Sequence, residues 1–332
     1  MATRVPLSVL DLAPVAEGQS VREALDGTVA LARAAERLGY ARVWYAEHHN
    51  FPSIASSATA VLIAHVAAHT DHIRLGAGGI MLPNHAPLLI AEQFGTLATL
   101  HPGRIDLGLG RAPGTDPNTT LALRRDHRAA ETFPDDVAEL RGFLSGDTLI
   151  AGVHAYPGRA TDVPLYILGS SLFGAQFAAM SGLPYAFASH FAPAALRDAV
   201  RLYRERFEPS EHLDRPHVIA AVNVVAADDE AEARRQLAVR RRDIARAILS
   251  PPGQRLTDDE IERLLASPRG GHVEQMFTYT ALGTARTVAN YLAEFRAHAD
   301  ADELMTVHLA DTVPGRLRSL ELVADRVPVS AA

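Results

Sequence analysis

The chain has 332 residues, 48% hydrophobic and 21% charged, with 23 glycines, 20 prolines and no cysteine. Those proportions supply ample core and exclude a disordered, collagenous or disulfide-stapled miniature chain, and the missing thiols exclude disulfides, thiolate metal sites and cysteine nucleophiles. All 32 basic residues are arginine, which removes a P-loop lysine, a pyridoxal-phosphate Schiff base and a class I aldolase amine, because guanidinium cannot replace an amine in that chemistry. A net charge of -7 argues against a partner in nucleic acid, whose phosphates need a concentrated basic face. The arginine-rich stretch 234–246 is interleaved with alanine, leucine and acids and reads as a solvated helix face. MATRVPLSVLDLAP lacks a signal-peptide apolar core, and no run approaches the ~18 apolar residues of a membrane span, so a cytoplasmic protein without a membrane partner is expected.

Short aliphatic runs alternate with longer amphipathic stretches. VPLSVLDL from Val5 is followed by VREALDGTVALARAAERLG, in which Ala24, Val29, Leu31, Ala35 and Leu38 form a helical stripe closed by Gly39. ARVWYAEH from Ala41 precedes a helix near Ala55, and HIRLGAGGI from His72 precedes one opened by Pro87. GRIDLGLGR from Gly103 leads into a long loop, 110–134, and a helix near Pro134. VPLYILGSS from Val163, LPYAFASHF from Leu183 and HVIAAVNVVAA from His217 precede helices near Phe173, Pro193 and Asp229. Segment 250–277, rich in Pro and Gly around a short helical stretch, reads as an insertion before the eighth strand, either a mobile lid or a surface excursion or oligomer contact. A helix near Thr284, the run ELMTVHL from Glu303 and a last helix near Pro314 complete the series. Continuous apolar strands linked through helices are parallel and buried on both faces. Eight such units predict an α/β fold, a (β/α)8 TIM barrel spanning 1–332 as one domain. The doubly wound alternative needs GxGxxG after the first strand, and LDLAPVAEG lacks it.

In such a barrel the chemistry sits at the C-terminal ends of the strands. The second run ends Glu47-His48-His49-Asn50. Neighbouring residues on a strand face opposite ways, so the two imidazoles do not share a metal, and no third ligand with zinc-like spacing follows. An acid–base or hydrogen-bonding histidine, and no metal, is the expectation. Glycines at the third strand end, including Gly78 and Gly79, let a flat ligand approach the backbone or mark a barrel bulge. Arg111 emerges from Gly108-Leu109-Gly110, suited to phosphate. Ser170 and Ser171 stand before a helix start, where free N–H groups favour an anion. Together these suggest a phosphorylated cofactor. Asp11 and His190, at the first and sixth strand ends, are further candidates on geometry alone. No GxSxG elbow marks a hydrolase.

The segments WYAEHHN (44–50), LGAGGIMLPNHAPLLIAEQFGTLATLHPGRIDLGLGRAPG (75–114) and LGSSLFGAQFAAMSGLPYAFASHFAP (168–193) together resemble the bacterial luciferase-like flavin monooxygenase family over nearly the whole chain. The resemblance implies the barrel, FMN as cofactor, bound reduced and delivered by a separate flavin reductase, O2 as co-substrate, and a homo-oligomer. It implies oxygenation of a small organic substrate through a flavin C4a-(hydro)peroxide. By the same resemblance His48 is the catalytic histidine, Gly78-Gly79 the pair whose non-prolyl cis peptide lies behind the isoalloxazine, and Arg111 the phosphate-binding arginine. Ser171, with Ser170 beside it, and the Gly174 N–H match the phosphate cradle, and Glu92 the acidic position of the AEQ segment. Luciferases proper carry a reactive cysteine where Gly110 stands here, so light emission is not implied. Two other readings stand beside this one: an F420-dependent hydride-transfer oxidoreductase, which shares the barrel and the cis peptide, and a non-catalytic flavin-binding protein.

Overall fold

The computed structural model describes residues 6–112, 116–251 and 254–327. Val5, which opens the first run, lies outside them, as do 113–115 of the loop after the fourth run and 252–253 of the segment 250–277. Among the described residues there are nine strands: β1 (Leu7–Asp11), β2 (Arg42–Tyr45), β3 (Arg74–Met81), β4 (Ile105–Gly110), β5 (Leu165–Gly169), β6 (Tyr185–Phe187), β7 (Val218–Ala226), β8 (Thr280–Gly283) and β9 (Glu303–His308). All pair in parallel, β1 through β7 in sequence, and β9 pairs with both β7 and β1. The ring β1–β7 plus β9 is the expected eight-stranded barrel, with helices between the strands.

The ninth strand, β8, is an addition to the eight expected runs. β6 has three residues and β7 has nine, so β6 covers only the lower part of one edge of β7. Tyr185 N–H donates to the His217 carbonyl at 3.0 Å, and Asn223 N–H donates to the Tyr279 carbonyl at 3.0 Å. Odd-numbered residues of a strand bond to one side, so β6 and β8 occupy the same edge of β7 in succession. The sequence segment just before β8 thus satisfies backbone groups that a short β6 leaves open.

Alternation along each strand sends one set of residues outward under the helices and another into the barrel. Val43 and Tyr45 belong to the outer core with Leu75, Leu107, Ile167 and Val222, whereas Trp44 belongs to an inner cluster with Leu10, Tyr166, Ile219, Met305 and Val307. At the floor of that interior, Arg42 donates to Glu303 at 2.9 Å and to both Asp106 and Tyr166 at 2.7 Å. Trp44 Nε1 donates to Asp106 at 3.1 Å, and Arg74 donates to the same carboxylate. Each buried charge is therefore paired, the condition under which charges are tolerated in a core.

The helices follow their end signals. Val21–Leu38 starts in a Ser20/Glu23 capping box and ends at Gly39 with φ 81°. Among the described residues, no helix is long and apolar enough to cross a membrane. In the segment before β8, helix Asp258–Leu265 packs Ile261 and Leu265 against Ala245 of helix Glu230–Leu249. The segment reaches the mouth at two points: Phe277 packs on the inner cluster, and Arg255 pairs with Glu17 in the loop after β1.

Candidate active site

β2 sets the register of the site. Arg42 lies at the floor, Trp44 above it, and His48 continues the same alternation past the strand end, at the C-terminal mouth. The His48 N–H donates to the Ser56 carbonyl at 3.0 Å, and its ring meets Phe51 edge-on at 5.8 Å. Its Nδ1 is enclosed and makes no hydrogen bond. Burial lowers the imidazole pKa below its ordinary 6.5 against the opposing pull of the Glu47 carboxylate, so the ring is neutral at pH 7. An enclosed lone pair costs less than an enclosed N–H without an acceptor, which assigns the ring proton to Nε2.

Glu47 takes the other side of the strand. Its buried carboxylate accepts from His49 Nε2 at 2.8 Å, His85 Nε2 at 2.9 Å, Met81 N–H at 3.1 Å and Asn84 Nδ2 at 3.4 Å. Burial pushes this carboxyl up, but the His85, His49 and Met81 contacts outweigh it and hold the pKa below the usual carboxylate range. Glu47 therefore ties the ends of β2 and β3 together. Sequence reasoning named Glu47 only as part of the EHHN run and did not single out His85; the NHA triplet at 84–86 was the available signal.

The peptide bond between Gly78 and Gly79 is cis. The pairing of β3 with β4 shifts register between Ala77 and Ile80, so a bulge accompanies it. A Cβ on Gly78 would stand 2.9 Å from Trp44 Cβ and 2.8 Å from Leu10 Cδ1; one on Gly79 would stand 2.7 Å from the Gly108 carbonyl oxygen. Neighbouring strands fill both positions, so only glycine fits there.

Across the mouth, the Arg111 guanidinium stacks over the Phe173 ring at 3.9 Å. Phe173 belongs to helix Leu172–Met180, whose N-cap residue Ser171 is extended, with φ -146° and ψ 167°, and makes no side-chain cap hydrogen bond. Gly174 in the first turn packs on the strand end, since a Cβ there would lie 3.4 Å from Gly169 Cα. Among the described residues Arg111 has no carboxylate partner. A guanidinium without a carboxylate beside an uncapped helix start, with the exposed hydroxyls of Ser170 and Ser171, has the donor set of a phosphate cradle. The residues present therefore fit the mononucleotide that the resemblance implies.

The remaining candidates divide. His190 has an enclosed, unpartnered Nδ1 and stands near enough to His48 that the two disfavour each other's charge; burial first, and His48 second, lower its pKa to about 3. Asn223 Nδ2 fixes its backbone, donating to the His190 carbonyl at 2.7 Å and to the Met276 carbonyl at 2.9 Å. Asp11 is different. It accepts from Arg316 at 3.0 Å, Thr28 at 2.7 Å and Ala13 N–H at 3.0 Å, so its carboxylate is consumed in a buried structural pair and offers nothing to a ligand. Glu92 lies on the outer helix Pro87–Leu100, half-buried, and its side chain has no hydrogen bond to the Glu47 cluster. No group of three or more His, Asp or Glu arranged for a metal occurs among the described residues.

The sequence matches the luciferase-like monooxygenase family over residues 5–302. The chain belongs to the luciferase-like monooxygenase family. It is 45% identical over 329 residues to a luciferase-like monooxygenase of Escherichia coli strain K12, covering 97% of this chain and 96% of that one. It is 36% identical over 237 residues to an N-acetyl-S-alkylcysteine monooxygenase of Bacillus subtilis strain 168, covering 69% and 70%. The crystal structure of apo-MsnO8 superposes with a TM-score of 0.87 at 34% identity, covering 99% of this chain and 100% of that one. This luciferase-like protein is an oxidoreductase by family, and its barrel carries the constellation just described.

Proposed function

We propose that the protein is an FMN-dependent monooxygenase that uses reduced FMN and O2 to oxygenate a small organic substrate, with a separate flavin reductase supplying the cofactor to a homo-oligomeric, cytoplasmic enzyme. The observation that carries this reading is Arg111 stacked over Phe173 at an uncapped helix start, on the mouth that also holds the cis Gly78–Gly79 bond and a neutral His48. Arg111, the Ser170 and Ser171 hydroxyls and the Gly174 N–H hold the phosphate. The Gly78–Gly79 backbone, kept in place by Trp44 and Gly108, backs the ring.

Bound reduced flavin supplies the electrons with which one atom of O2 enters the substrate and the other leaves as water. The chain's own residues do the rest. His48, neutral with its proton on Nε2, offers Nε2–H as a hydrogen-bond donor toward the reacting atoms. Glu47, through Met81, Asn84 and His85, holds the β3 end against the β2 end and so fixes the distance between His48 and the glycine pair. Leu10, Val307 and Leu309 belong to the apolar cluster inside the barrel, with Phe277 packed on it, and this apolar surface would keep water from the reacting atoms.

Anaerobic titration with reduced FMN followed by a pulse of labelled O2 tests the reading. Compounds of the N-acetyl-S-alkylcysteine type are a first choice, given the B. subtilis relative's name. The expected result is saturable binding of reduced FMN and one labelled oxygen atom in the product. Binding of F420 in preference to FMN, with hydride transfer and no O2 consumed, would overturn it.

A further inference from the structure

Helix Glu230–Leu249 carries six arginines. Five have carboxylate partners: Arg234 with Glu230 at 3.9 Å, Arg235 with Glu232 at 2.8 Å, Arg241 with Glu262 at 3.4 Å, Arg242 with Asp258 at 3.4 Å and Arg246 with Asp243 at 3.2 Å. Arg234 and Arg235 are exposed, as the sequence suggests, whereas Arg241, Arg242 and Arg246 are half-buried and reach Asp258, Glu262 and Glu274 of the segment before β8. Arg240 departs from all five, with no hydrogen bond and no ion pair among the described residues.

Its position makes the departure informative. Ala233 and Leu237 of the same helix pack on the inner barrel cluster beside Leu12, Val225 and Leu309. Arg240 follows Leu237 by three residues, so it lies on that inward face one turn further along. It is partly buried, and none of the described carboxylates pairs with it. The charges that reach it are Asp243, engaged by Arg246, and Arg316, engaged by Asp11 at the end of β1. Neither neutralises it, and burial makes its own charge costly, pulling its pKa down. An inward guanidinium left without a carboxylate is stabilised when an anion arrives, because the desolvation is already spent.

We propose that Arg240 is the anchor for a carboxylate on the substrate, whose apolar body lies against the inner cluster. The proposal rests on the monooxygenase reading and deepens it by naming the substrate class: small apolar molecules bearing one carboxylate. Specificity then comes from differential binding of acid over neutral isostere, to which a planar fork of donors is suited.

The test measures binding of phenylacetate and octanoate, each against its primary amide, by calorimetry on the whole protein without flavin. Wild type is expected to prefer each acid by about tenfold or more, the scale of one charge-assisted contact. Arg240→Met should abolish the preference and Arg240→Lys should retain part of it. Arg234→Met, on the exposed face, should leave it intact, and thermal melts verify that each variant is folded. A wild type that binds acid and amide alike, or binds neither, overturns the proposal, as does a preference that survives in Arg240→Met. FMN binding is titrated separately in the same samples. Loss of FMN binding with the acid preference intact would count against the flavin reading alone.

Discussion

The Arg111 guanidinium carbon lies 3.9 Å from the centroid of the Phe173 ring, so the cation from the end of β4 is oriented by the helix that follows β5. This contact joins two strand ends that are otherwise separate in the sequence. Arg111→Met is expected to weaken FMN binding by about 1.5–3 kcal/mol, the range for a hydrogen bond to a charged group. Phe173→Ala, which leaves the charge but frees it, should cost ~0.5–1 kcal/mol. Fluorescence titration of both variants checks the order; equal losses would mean that Phe173 itself touches the cofactor.

The glycine pair yields a graded expectation. Gly79→Ala pushes a methyl against the Gly108 carbonyl oxygen at 2.7 Å, which is backbone within the barrel wall and has nowhere to go. Gly78→Ala meets Leu10 Cδ1, a side-chain tip, but also Trp44 Cβ at 2.9 Å. Both substitutions overpack, with a cost on the order of 1–3 kcal/mol, and Gly79→Ala should be the worse. Urea unfolding of the two variants measures the difference directly.

The barrel and most of the mouth are legible in the sequence because long apolar runs and strand-end motifs are local signals. The eight runs mark β1–β7 and β9, and the cis Gly78–Gly79 bond, implied only by the family resemblance that the LGAGGI segment helps carry, is present. β8 is not legible, because TALG has four residues, half of them only partly buried, and its place depends on β6 being too short to cover β7. The same holds for Glu47 and His85, whose contact at 2.9 Å spans 38 residues of sequence. Asp11 shows the converse error: a strand-end acid looks available until Arg316, 305 residues away, claims it.

Asp11→Asn should accordingly lower stability and leave the cofactor alone. It leaves the Arg316 guanidinium buried without its counter-charge, and breaking such a pair costs roughly 3–5 kcal/mol. A depressed melting temperature with unchanged FMN affinity is expected. A change in FMN affinity at full stability would return Asp11 to the site.

Two signed pH effects follow from Glu47. Its folded pKa lies below the unfolded value, so its contribution to stability is present above the unfolded carboxyl range and fades as pH falls through the lower folded value. The stability gap between wild type and Glu47→Gln should therefore be full at pH 7 and shrink at acid pH, as denaturant melts at several pH values will show. The same carboxylate raises the His48 pKa against burial. In Glu47→Gln the His48 titration, followed by proton NMR of the ring, should move further to acid; movement toward neutrality would contradict the charge assignment.

The most direct measurement of the central claim is a crystal structure of the protein with FMN. The phosphate is expected between the Arg111 guanidinium and the Ser171–Gly174 turn, with the ring against Gly78–Gly79 and His48 at its edge. A phosphate bound elsewhere, or a ring distant from the glycine pair while Arg111 still stacks on Phe173, would contradict it.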